Sequence, residues 1–559
     1  MVCTDMARVA YLLLAVEVGL RKLLEIMKNI LRRNVVLALV LLIGFSCFGS
    51  TYNGRPKVVV IVVVDQLRGD MIERYHDQFT DGGFRLLMDR GAWFSSCYYN
   101  YANTRTAPGH ATIGTGTYTL GHGILSNEWY DPELKKIISS VEDAKTTLLG
   151  ASVAGAGSSP HNLLSDTFAD EAKLATGGKA RVFGVALKDR AAILPVGFTA
   201  NGAFWIDHET GVWLTSTYYM KQAPGWLTKF NAEKRGDKYL NLDWKDASGK
   251  VLRTTALTQD GKKPGYYEVV GRTPYASEYT FEFVRELIEN EKIGSGPNTD
   301  VLVVSLSNND ILQHKVGPDS DQEKAMMLAL DRQLNDFFAY LGRQVGLANV
   351  VIALTADHGT APAPAYASGL RLPAMAFDGK KYAAELNAKL SAKLGKSAEY
   401  VISYSHPNVF LSEAAFAAVN MKEAAAENAV GEFLKQTGNL GYVTKSQLAE
   451  GEIANTVFEK KFLNSYSPYG GWYVMGIPRP FTIGYLDGTD HSLPYNYDAH
   501  VPLAFFGVMF RPGQYRQNVE MVDLAPTLAS VLGVNPPAAA VGRVLHEAFV
   551  ETRAQENPR

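Results

Sequence analysis

The feature that most constrains the fold of this chain is an apolar run that ends abruptly in a charged pair. Residues 349–359 read NVVIALTADHG, so the run leads directly into Asp357, His358 and Gly359. A short apolar run closed by glycine is typical of a strand buried in a parallel sheet. Open α/β sheets place their functional sites where the carboxyl ends of such strands emerge. We therefore expect Asp357 and His358 to lie at the functional edge of a parallel sheet.

The same arrangement recurs along the chain, with acidic and histidine residues near the ends of other apolar runs. Parallel strands bring such residues to one edge of a sheet, and carboxylates and imidazoles there are the ligands that a two-metal hydrolytic site needs. The recurrences are residues 58–64 followed by Asp65, residues 301–306 followed by Asp310 and His314, and Asp490 with His491 ahead of residues 501–506.

These residues form two candidate ligand sets, because zinc accepts aspartate oxygens and histidine nitrogens. A single Asp after a strand is more often a turn residue, and a single His is more often structural, but their joint occurrence at strand ends favours metal binding. Asp310 and His314 share one face if their segment is helical. The sets are Asp65, Asp357 and His358 for one ion, and Asp310, His314 and His491 for the other.

His500 is the alternative to His491 as a metal ligand. It opens the apolar run 501–506, so we expect it at the opposite edge of the sheet, which counts against it. His110 and His122 lie nearer the motifs. The remaining histidines are interpreted as structural or surface residues, namely His76, His161, His208, His406 and His546.

Residues 103–112, which read NTRTAPGHAT, supply the candidate nucleophile. Pro108 favours the start of a helix, and a hydroxyl just before it is expected at the N-cap, where free N–H groups and the helix dipole favour an anion. A metal-bound hydroxyl in that position is activated for attack. Thr106 is the best candidate, and Thr104 and Thr112 are alternatives. Without a metal cluster nearby, Thr106 reads as an ordinary N-cap.

In their order along the chain, these motifs resemble the alkaline phosphatase superfamily, in particular its type I phosphodiesterase/nucleotide pyrophosphatase branch. Within that branch the chain is most similar to the PafA-type monomeric periplasmic alkaline phosphatases of Bacteroidetes. The resemblance runs from about Lys57 to the C-terminal core. It implies an α/β fold with a mostly parallel, alkaline-phosphatase-like sheet, helices on both faces and inserted α+β cap segments. It also implies two zinc ions held by the two ligand sets, and a nucleophilic threonine at Thr106.

The choice between phosphate monoesters and diesters depends on other residues. A terminal phosphoryl group carries extra charged oxygens, which call for additional cationic donors. Lys188 and Arg190 follow the apolar run 180–187, and their alternative interpretation is a solvated charged turn. In the resembling phosphatases a Lys-x-Arg pair and an Asn contact the phosphoryl oxygens, and Lys188, Arg190 and Asn127 match them.

We therefore expect a secreted di-zinc alkaline phosphatase that hydrolyses small-molecule phosphate monoesters through a covalent phosphothreonine. The first alternative is a phosphodiesterase or nucleotide pyrophosphatase that uses the same two metals. The second is a non-catalytic, metal-dependent binding protein. The formal net charge of −2 argues against a broad basic surface and hence against a nucleic-acid partner.

The N-terminal segment contains an export signal that does not begin at residue 1. A basic stretch starts at Met27 and is followed by an apolar stretch and small residues up to Ser50, which is typical of a bacterial signal peptide. We expect a periplasmic or secreted protein with no stable membrane span after cleavage. A membrane anchor and a lipidated Cys47 are the alternatives. Cys97 is then left without an intramolecular partner and is expected to be buried.

The pattern of apolar runs and composition divides the chain into core segments and insertions. The predicted segments are an upstream extension (1–26), a signal peptide (27–50), a first part of the catalytic core (57–194), a β-rich cap (195–275), a second part of the core (276–360), an α+β insertion (361–485) and a last part of the core (486–550).

Overall fold

The central strand of the protein is built almost wholly from valine. This strand, β1 (Val58–Val64), has the sequence VVVIVVV, and all of its residues are buried. β-Branched side chains pack well on a pleated surface, and a strand that is apolar on both faces requires cover on both. The computed structural model describes residues 55–150, 155–257, 264–484 and 488–550. The predicted upstream extension, signal peptide and Cys47 lie outside these ranges.

The strands are listed here in chain order. They are β1 (Val58–Val64), β2 (Ala92–Tyr98), β3 (Glu128–Asp131), β4 (Lys136–Ser139), β5 (Glu142–Leu149), β6 (Ala156–Ser158), β7 (Val182–Ala186), β8 (Gly202–Ile206), β9 (Trp213–Ser216), β10 (Asp243–Lys245), β11 (Val251–Thr254), β12 (Asp300–Leu306), β13 (Val350–Thr355), β14 (Met375–Ala376), β15 (Val401–Ser405), β16 (Asn408–Leu411), β17 (Asn439–Thr444), β18 (Tyr473–Pro478), β19 (Thr482–Ile483), β20 (His500–Phe506), β21 (Gly513–Tyr515) and β22 (Val519–Glu520).

The α-helices follow the same convention. They are α1 (Asp70–Arg74), α2 (Phe84–Arg90), α3 (Thr106–Thr115), α4 (Thr119–His122), α5 (Phe168–Ala175), α6 (Asp189–Ile193), α7 (Gly225–Ala232), α8 (Tyr266–Val269), α9 (Pro274–Glu291), α10 (Asn308–Val316), α11 (Asp321–Gln344), α12 (Pro364–Gly369), α13 (Gly379–Leu394), α14 (Glu413–Ala417), α15 (Glu423–Leu434), α16 (Lys445–Glu450), α17 (Val457–Leu463), α18 (Asn496–Ala499) and α19 (Leu524–Leu532).

The main sheet has a parallel centre and antiparallel flanks. Its order is β21-β2-β20-β13-β1-β12-β7-β8-β9-β5-β6, with β22 paired to β2. Strands β13, β1, β12, β7 and β8 run parallel, whereas β20 runs antiparallel to both β13 and β2. The predicted α/β class is confirmed, and the sheet is mixed rather than uniformly parallel.

The segment predicted as a β-rich cap contributes to two different structures. Strands β8 and β9 extend the main sheet, while β10 and β11 form a separate antiparallel hairpin. Residues 361–484 contain a second hydrophobic core around the four-stranded sheet β15-β16-β18-β17 and helices α13 and α15. Its buried residues include Leu386, Leu390, Val401, Val409, Leu411, Phe416, Val430 and Val474. The domain boundaries themselves stay predictions.

Two further expectations concern single features of the described residues. Cys97 is buried in the main core with its thiol free, as the sequence predicts. None of the helices among the described residues combines the length and the apolar character that a membrane span requires.

Candidate active site

Four neighbouring parallel strands end at the same level of the sheet. Val64 pairs with Leu306, and Ser305 pairs with Ala186, so the ends of β1, β12 and β7 lie side by side. Strand β13 is in register on the other side of β1. The residues that follow these strands therefore emerge together at one edge, which is where the sequence predicts the site.

Asp65, Asp357 and His358 form the first group of candidate metal ligands. Nε2 of His358 lies 3.7 Å from Oδ1 of Asp65 and 3.5 Å from Oδ2 of Asp357. All three residues are buried, and none of these three atoms forms a hydrogen bond with any described residue. A buried polar atom without a partner is costly, so their convergence indicates the place of a cation.

Asp310, His314 and His491 form the second group. Asp310 and His314 lie one turn apart on α10, as their spacing predicts, with Oδ1 of Asp310 3.1 Å from Nε2 of His314. Nε2 of His491, which comes from the loop ahead of α18, lies 3.8 Å from the same oxygen. Within each group, the potential ligand atoms all lie within 4.8 Å of one another.

Lys188 joins the two groups. It is the N-cap residue of α6, just beyond the end of β7, and is 3% exposed. Its Nζ donates to Oδ2 of Asp65 at 2.7 Å and to Oδ2 of Asp310 at 2.6 Å. The rings of His358 and His491 stack with their centroids 3.7 Å apart. The groups therefore form one continuous site.

Backbone carbonyls orient all three imidazoles of the site. Nδ1 of His358 contacts the carbonyl of Gly359 at 3.0 Å, Nδ1 of His314 that of Thr489 at 2.9 Å, and Nδ1 of His491 that of Thr104 at 2.7 Å. Each Nδ1 therefore donates to a carbonyl, which leaves Nε2 as the nitrogen directed towards the carboxylates. This is the arrangement that fixes histidine as a metal ligand. The residues present thus fit two metal ions with Asp and His ligands.

The charges of the site are unbalanced. Burial raises the pKa of Asp65 well above its usual range, and the carboxylates of Asp310 and Asp357 add to that effect. Burial acts on Asp310 in the same direction, but Lys188 and His314 outweigh it and hold the pKa of Asp310 well below its usual range. The pKa of Lys188 is raised because Asp310 and Asp65 outweigh its burial. The site thus holds three buried carboxylates and one ammonium that donates to two of them, an arrangement that favours the binding of further positive charge.

Hydrogen bonds outside the two groups hold the aspartates in place. Oδ1 of Asp357 accepts from the backbone N–H groups of Gln66 and His358, at 3.0 and 3.1 Å. Nδ2 of Asn309 donates to the carbonyl of Asp65 at 2.9 Å. Gln66 adopts a φ of 65°, which turns its N–H towards Asp357. Gln66 and Asn309 were not predicted as site residues, and the only signal for them in the sequence is their position next to ligands.

Thr106 is the hydroxyl left available at the site. It is buried as the first residue of α3, and its Oγ1 forms no capping bond and lies 3.5 Å from Nζ of Lys188. Arg105, not Thr106, is the N-cap, because the helix begins one residue earlier than predicted. Of the alternatives, Thr104 donates to the carbonyl of Leu493, and Thr112 contacts Nε2 of His122. Both of these hydroxyls are engaged away from the two groups.

His110 supports Thr106 from the next turn of α3. Its Nδ1 contacts the carbonyl of Thr106 at 2.8 Å and lies 3.3 Å from Oδ2 of Asp357, while its Nε2 contacts Oγ of Ser305 at 2.9 Å. This buried ring therefore connects α3 with the ends of β12 and β13. The sequence places His110 near the motif but does not predict this role.

Asn127 and Arg190 lie at the border of the site. Oδ1 of Asn127 accepts from the backbone N–H of Ala107 at 2.8 Å, which fixes its amide beside the start of α3. Arg190, in the first turn of α6, has a side chain that is 21% exposed. Its Nε is buried without a hydrogen-bond partner among the described residues. Both side chains thus retain donors that a bound anion can use.

The structure corrects the reason for preferring His491 to His500. Because β20 runs antiparallel to β13, its first residue, His500, lies at the site edge and not at the opposite one. His500 nevertheless points elsewhere, since its Nε2 contacts the carbonyl of Ser95 at 2.9 Å and its ring stacks on Tyr98. His491 is the histidine that joins the second group.

Comparisons with known proteins agree with this geometry. The family model described as type I phosphodiesterase/nucleotide pyrophosphatase matches residues 59–443. A calcium-transporting ATPase of Myroides odoratus is 33% identical over 93% of this chain and 99% of its own length. Alkaline phosphatase PafA of Elizabethkingia meningoseptica is 33% identical over 88% of this chain and 94% of its own.

A solved structure has the same fold. It is a variant of alkaline phosphatase PafA with one threonine, one asparagine, one lysine and one arginine substituted. It is 30% identical to this chain, with a TM-score of 0.81, over 89% of this chain and 99% of its own. The predicted alkaline-phosphatase-like fold and the predicted family resemblance are thereby confirmed.

Proposed function

Because the chain belongs to the type I phosphodiesterase/nucleotide pyrophosphatase family, we propose that it is a metal-dependent alkaline phosphatase that hydrolyses phosphate monoesters through Thr106. Its similarity to alkaline phosphatase PafA in both sequence and structure supports this activity. The observation that carries the proposal is the position of the Thr106 hydroxyl. It is buried beside two sets of metal-ligating side chains and forms no helix-capping hydrogen bond. A binding protein has no need of that hydroxyl.

The six candidate ligands hold two zinc ions in this proposal. Asp65, Asp357 and His358 hold one ion, and Asp310, His314 and His491 hold the other. Bound zinc ions supply Lewis-acid stabilisation of the attacking and leaving oxygens of an in-line displacement and lower the pKa of an attached hydroxyl. Oδ1 of Asp65 and Nε2 of His358, both buried without hydrogen-bond partners among the described residues, support this assignment.

The chain's own residues account for the covalent steps. Oγ1 of Thr106 gives up its proton and attacks phosphorus, the bond to the leaving oxygen breaks, and the leaving group departs as an alcohol after it takes up a proton. The oxygen of a water molecule then attacks the phosphothreonine, the bond between phosphorus and Oγ1 breaks, one proton of the water returns to Oγ1, and inorganic phosphate is released. His110 positions Thr106 through its contact with the Thr106 carbonyl.

Lys188, Arg190 and Asn127 bind the non-bridging oxygens of the phosphoryl group in this proposal. Nζ of Lys188 lies 3.5 Å from Oγ1 of Thr106, within reach of a phosphoryl group attached there. A monoester presents more charged oxygens than a diester, so these donors favour the monoester. The four residue types substituted in the PafA variant are those of Thr106, Asn127, Lys188 and Arg190.

We propose in addition that the protein is exported. A signal peptide that starts near Met27 would deliver it to the periplasm or the medium, where it would act as a monomer.

Elemental analysis of the purified chain tests the metal assignment, with two zinc ions per chain expected.

The direct test of the nucleophile is the substitution Thr106→Ala. We expect kcat for an aryl phosphate to fall by at least about a thousandfold, because no other hydroxyl replaces Oγ1. Zinc content should remain near that of the wild type, since six other ligands are retained. Thr112→Ala is the matched control and should keep most of the activity. Wild-type turnover by the Thr106 variant would contradict the assignment.

A further inference from the structure

A cleft of about 860 Å³ opens next to the candidate active site. One wall belongs to residues 376–382 and 404–406 of the second insertion, and the other contains Arg105 and Asp490. Arg105 immediately precedes Thr106 in the chain, and Asp490 immediately precedes His491. The cleft therefore adjoins both the nucleophile and the second group of ligands.

Arg105 connects the wall that contains residues 404–406 to the candidate active site through hydrogen bonds. Nη2 of Arg105 donates to Oγ of Ser405 at 2.8 Å and to the carbonyl of His406 at 2.6 Å. Arg105 is also the N-cap residue of α3, which begins with Thr106. The position of the cleft relative to the nucleophile is thereby fixed by direct hydrogen bonds.

The geometry of the reaction directs the leaving group of the substrate from the active site towards the cleft. In an in-line displacement the leaving oxygen lies on the side of phosphorus opposite Thr106. His110 links Thr106 to Asp357 of the first group, so we assign the leaving oxygen to the side of Asp310, His314 and His491. Asp490, next to His491, lines the cleft. The remainder of the substrate beyond the leaving oxygen thus has the cleft as its adjoining space.

Aromatic rings line the cleft. Phe377 lies 5.3 Å from Tyr382 at an interplanar angle of 11° and 3.6 Å from the ring of His406, measured between centroids. Tyr404 meets the edge of His406 at 5.2 Å. Phe377 and Tyr382 are half-buried, so part of each ring remains accessible. Such a surface binds flat rings by stacking.

His406 adds a polar group to this aromatic surface. It is 7% exposed, and neither ring nitrogen has a hydrogen-bond partner among the described residues. Burial lowers the pKa of His406 to about 3, so its ring is neutral. The uncharged ring of His406 therefore adds to the aromatic wall of the cleft through its contacts with Phe377 and Tyr404. Its position in the sequence predicted only a structural or surface role.

The charges of the cleft do not favour a polyanionic occupant. Lys380 and Lys381 lie on its rim, but Asp378 and Asp490 line it as well. Arg105 already donates to the wall of the cleft. The charges are therefore nearly balanced, and the aromatic rings are the dominant feature.

We propose that this cleft binds the leaving group of the phosphate monoester and selects leaving groups that carry a flat ring. The inference rests on the proposed function, because it needs a phosphoryl group at Thr106. Phe377 and Tyr382, whose rings remain partly accessible, are the residues that determine this specificity.

Two substrates with the same reacting ester test the inference. Adenosine 5′-monophosphate and 1-O-methylribose 5-phosphate share the ribose 5-ester, so they differ in the ring but not in the reacting bond. For the wild-type, zinc-loaded enzyme we expect kcat/KM to be about tenfold higher for the adenosine ester, as one stacked base provides. In Phe377→Leu and Tyr382→Leu, that ratio should fall towards one, while kcat/KM for the methylribose ester stays unchanged.

Tyr366→Leu is the matched control, because Tyr366 is an exposed aromatic residue on α12 that does not line the cleft. Its ratio should equal that of the wild type. A wild-type ratio near one, or a ratio that both cleft variants preserve, would overturn this inference and leave the phosphatase activity standing. If the enzyme hydrolysed neither ester, both the proposed function and this inference would be overturned.

Discussion

At the scale of a single residue, the most unusual group outside the metal ligands is Glu323. It is fully buried at the start of α11, and neither carboxylate oxygen has a hydrogen-bond partner among the described residues. Burial raises its pKa from 4.5 to about 8, although Gln313 and Arg68 act in the opposite direction. Between those pH values the unfolded chain releases a proton that the folded chain retains, so stability is lost as pH rises.

Glu323→Gln removes that pH-dependent loss. At pH 9 we expect the variant to be more stable than the wild type by on the order of 2 kcal/mol, with a much smaller difference at pH 5. The measurement is the Tm of both zinc-loaded proteins at the two pH values. Glu385→Gln, at an exposed position on α13, is the control and should show no such divergence. An equal Tm difference at pH 5 and pH 9 for Glu323→Gln would be inconsistent with a buried, protonated carboxyl.

At the scale of the element, the contact between α10 and the end of β1 holds the two ligand groups together. Nδ2 of Asn309 on α10 donates to the carbonyl of Asp65. Asn309→Ala should therefore weaken zinc binding at both groups about tenfold, as loss of a supporting hydrogen bond does at other metal sites. Competition with a chelator, followed by elemental analysis, measures the change. Asn290 is exposed on α9, and Asn290→Ala should bind zinc as the wild type does. Unchanged zinc affinity in Asn309→Ala would rule out a supporting role for Asn309.

The sequence predicted the ends of β1, β12 and β13 because each apolar run gives way to polar or charged residues. It did not predict that β20 is antiparallel, since the pairing direction of a strand is set by its connections and not by its composition. The misplacement of His500 follows from that limit. The alanine-rich composition of residues 413–437 favours one continuous helix, whereas Asn420 adopts a φ of 56° between α14 and α15. Local composition does not reveal such a break.

At the scale of the whole molecule, residues at the edge of the sheet form a general site for the phosphoryl group. The segments around that site determine which substrates it selects. Five of the six candidate ligands could be predicted from sequence because they follow strands or share a helical turn, and His491 was marked by the Asp-His pair ahead of residues 501–506. The cleft between Arg105 and residues 376–406 could not, because it joins segments far apart in the chain. This division agrees with a family whose members act on different phosphate esters, since the metals are compatible with both monoesters and diesters.

The proposed function requires that the site prefer a phosphate monoester to a diester. The most direct measurement is kcat/KM of the purified zinc-loaded enzyme for an aryl phosphate monoester and for the methyl diester of the same phenol. We predict a monoester preference of at least about a hundredfold, which Lys188→Ala and Arg190→Ala should each reduce, because their cations bind the additional charged oxygens. A preference for the diester would contradict the proposed phosphomonoesterase activity and would identify the protein as a phosphodiesterase with the same metal ligands.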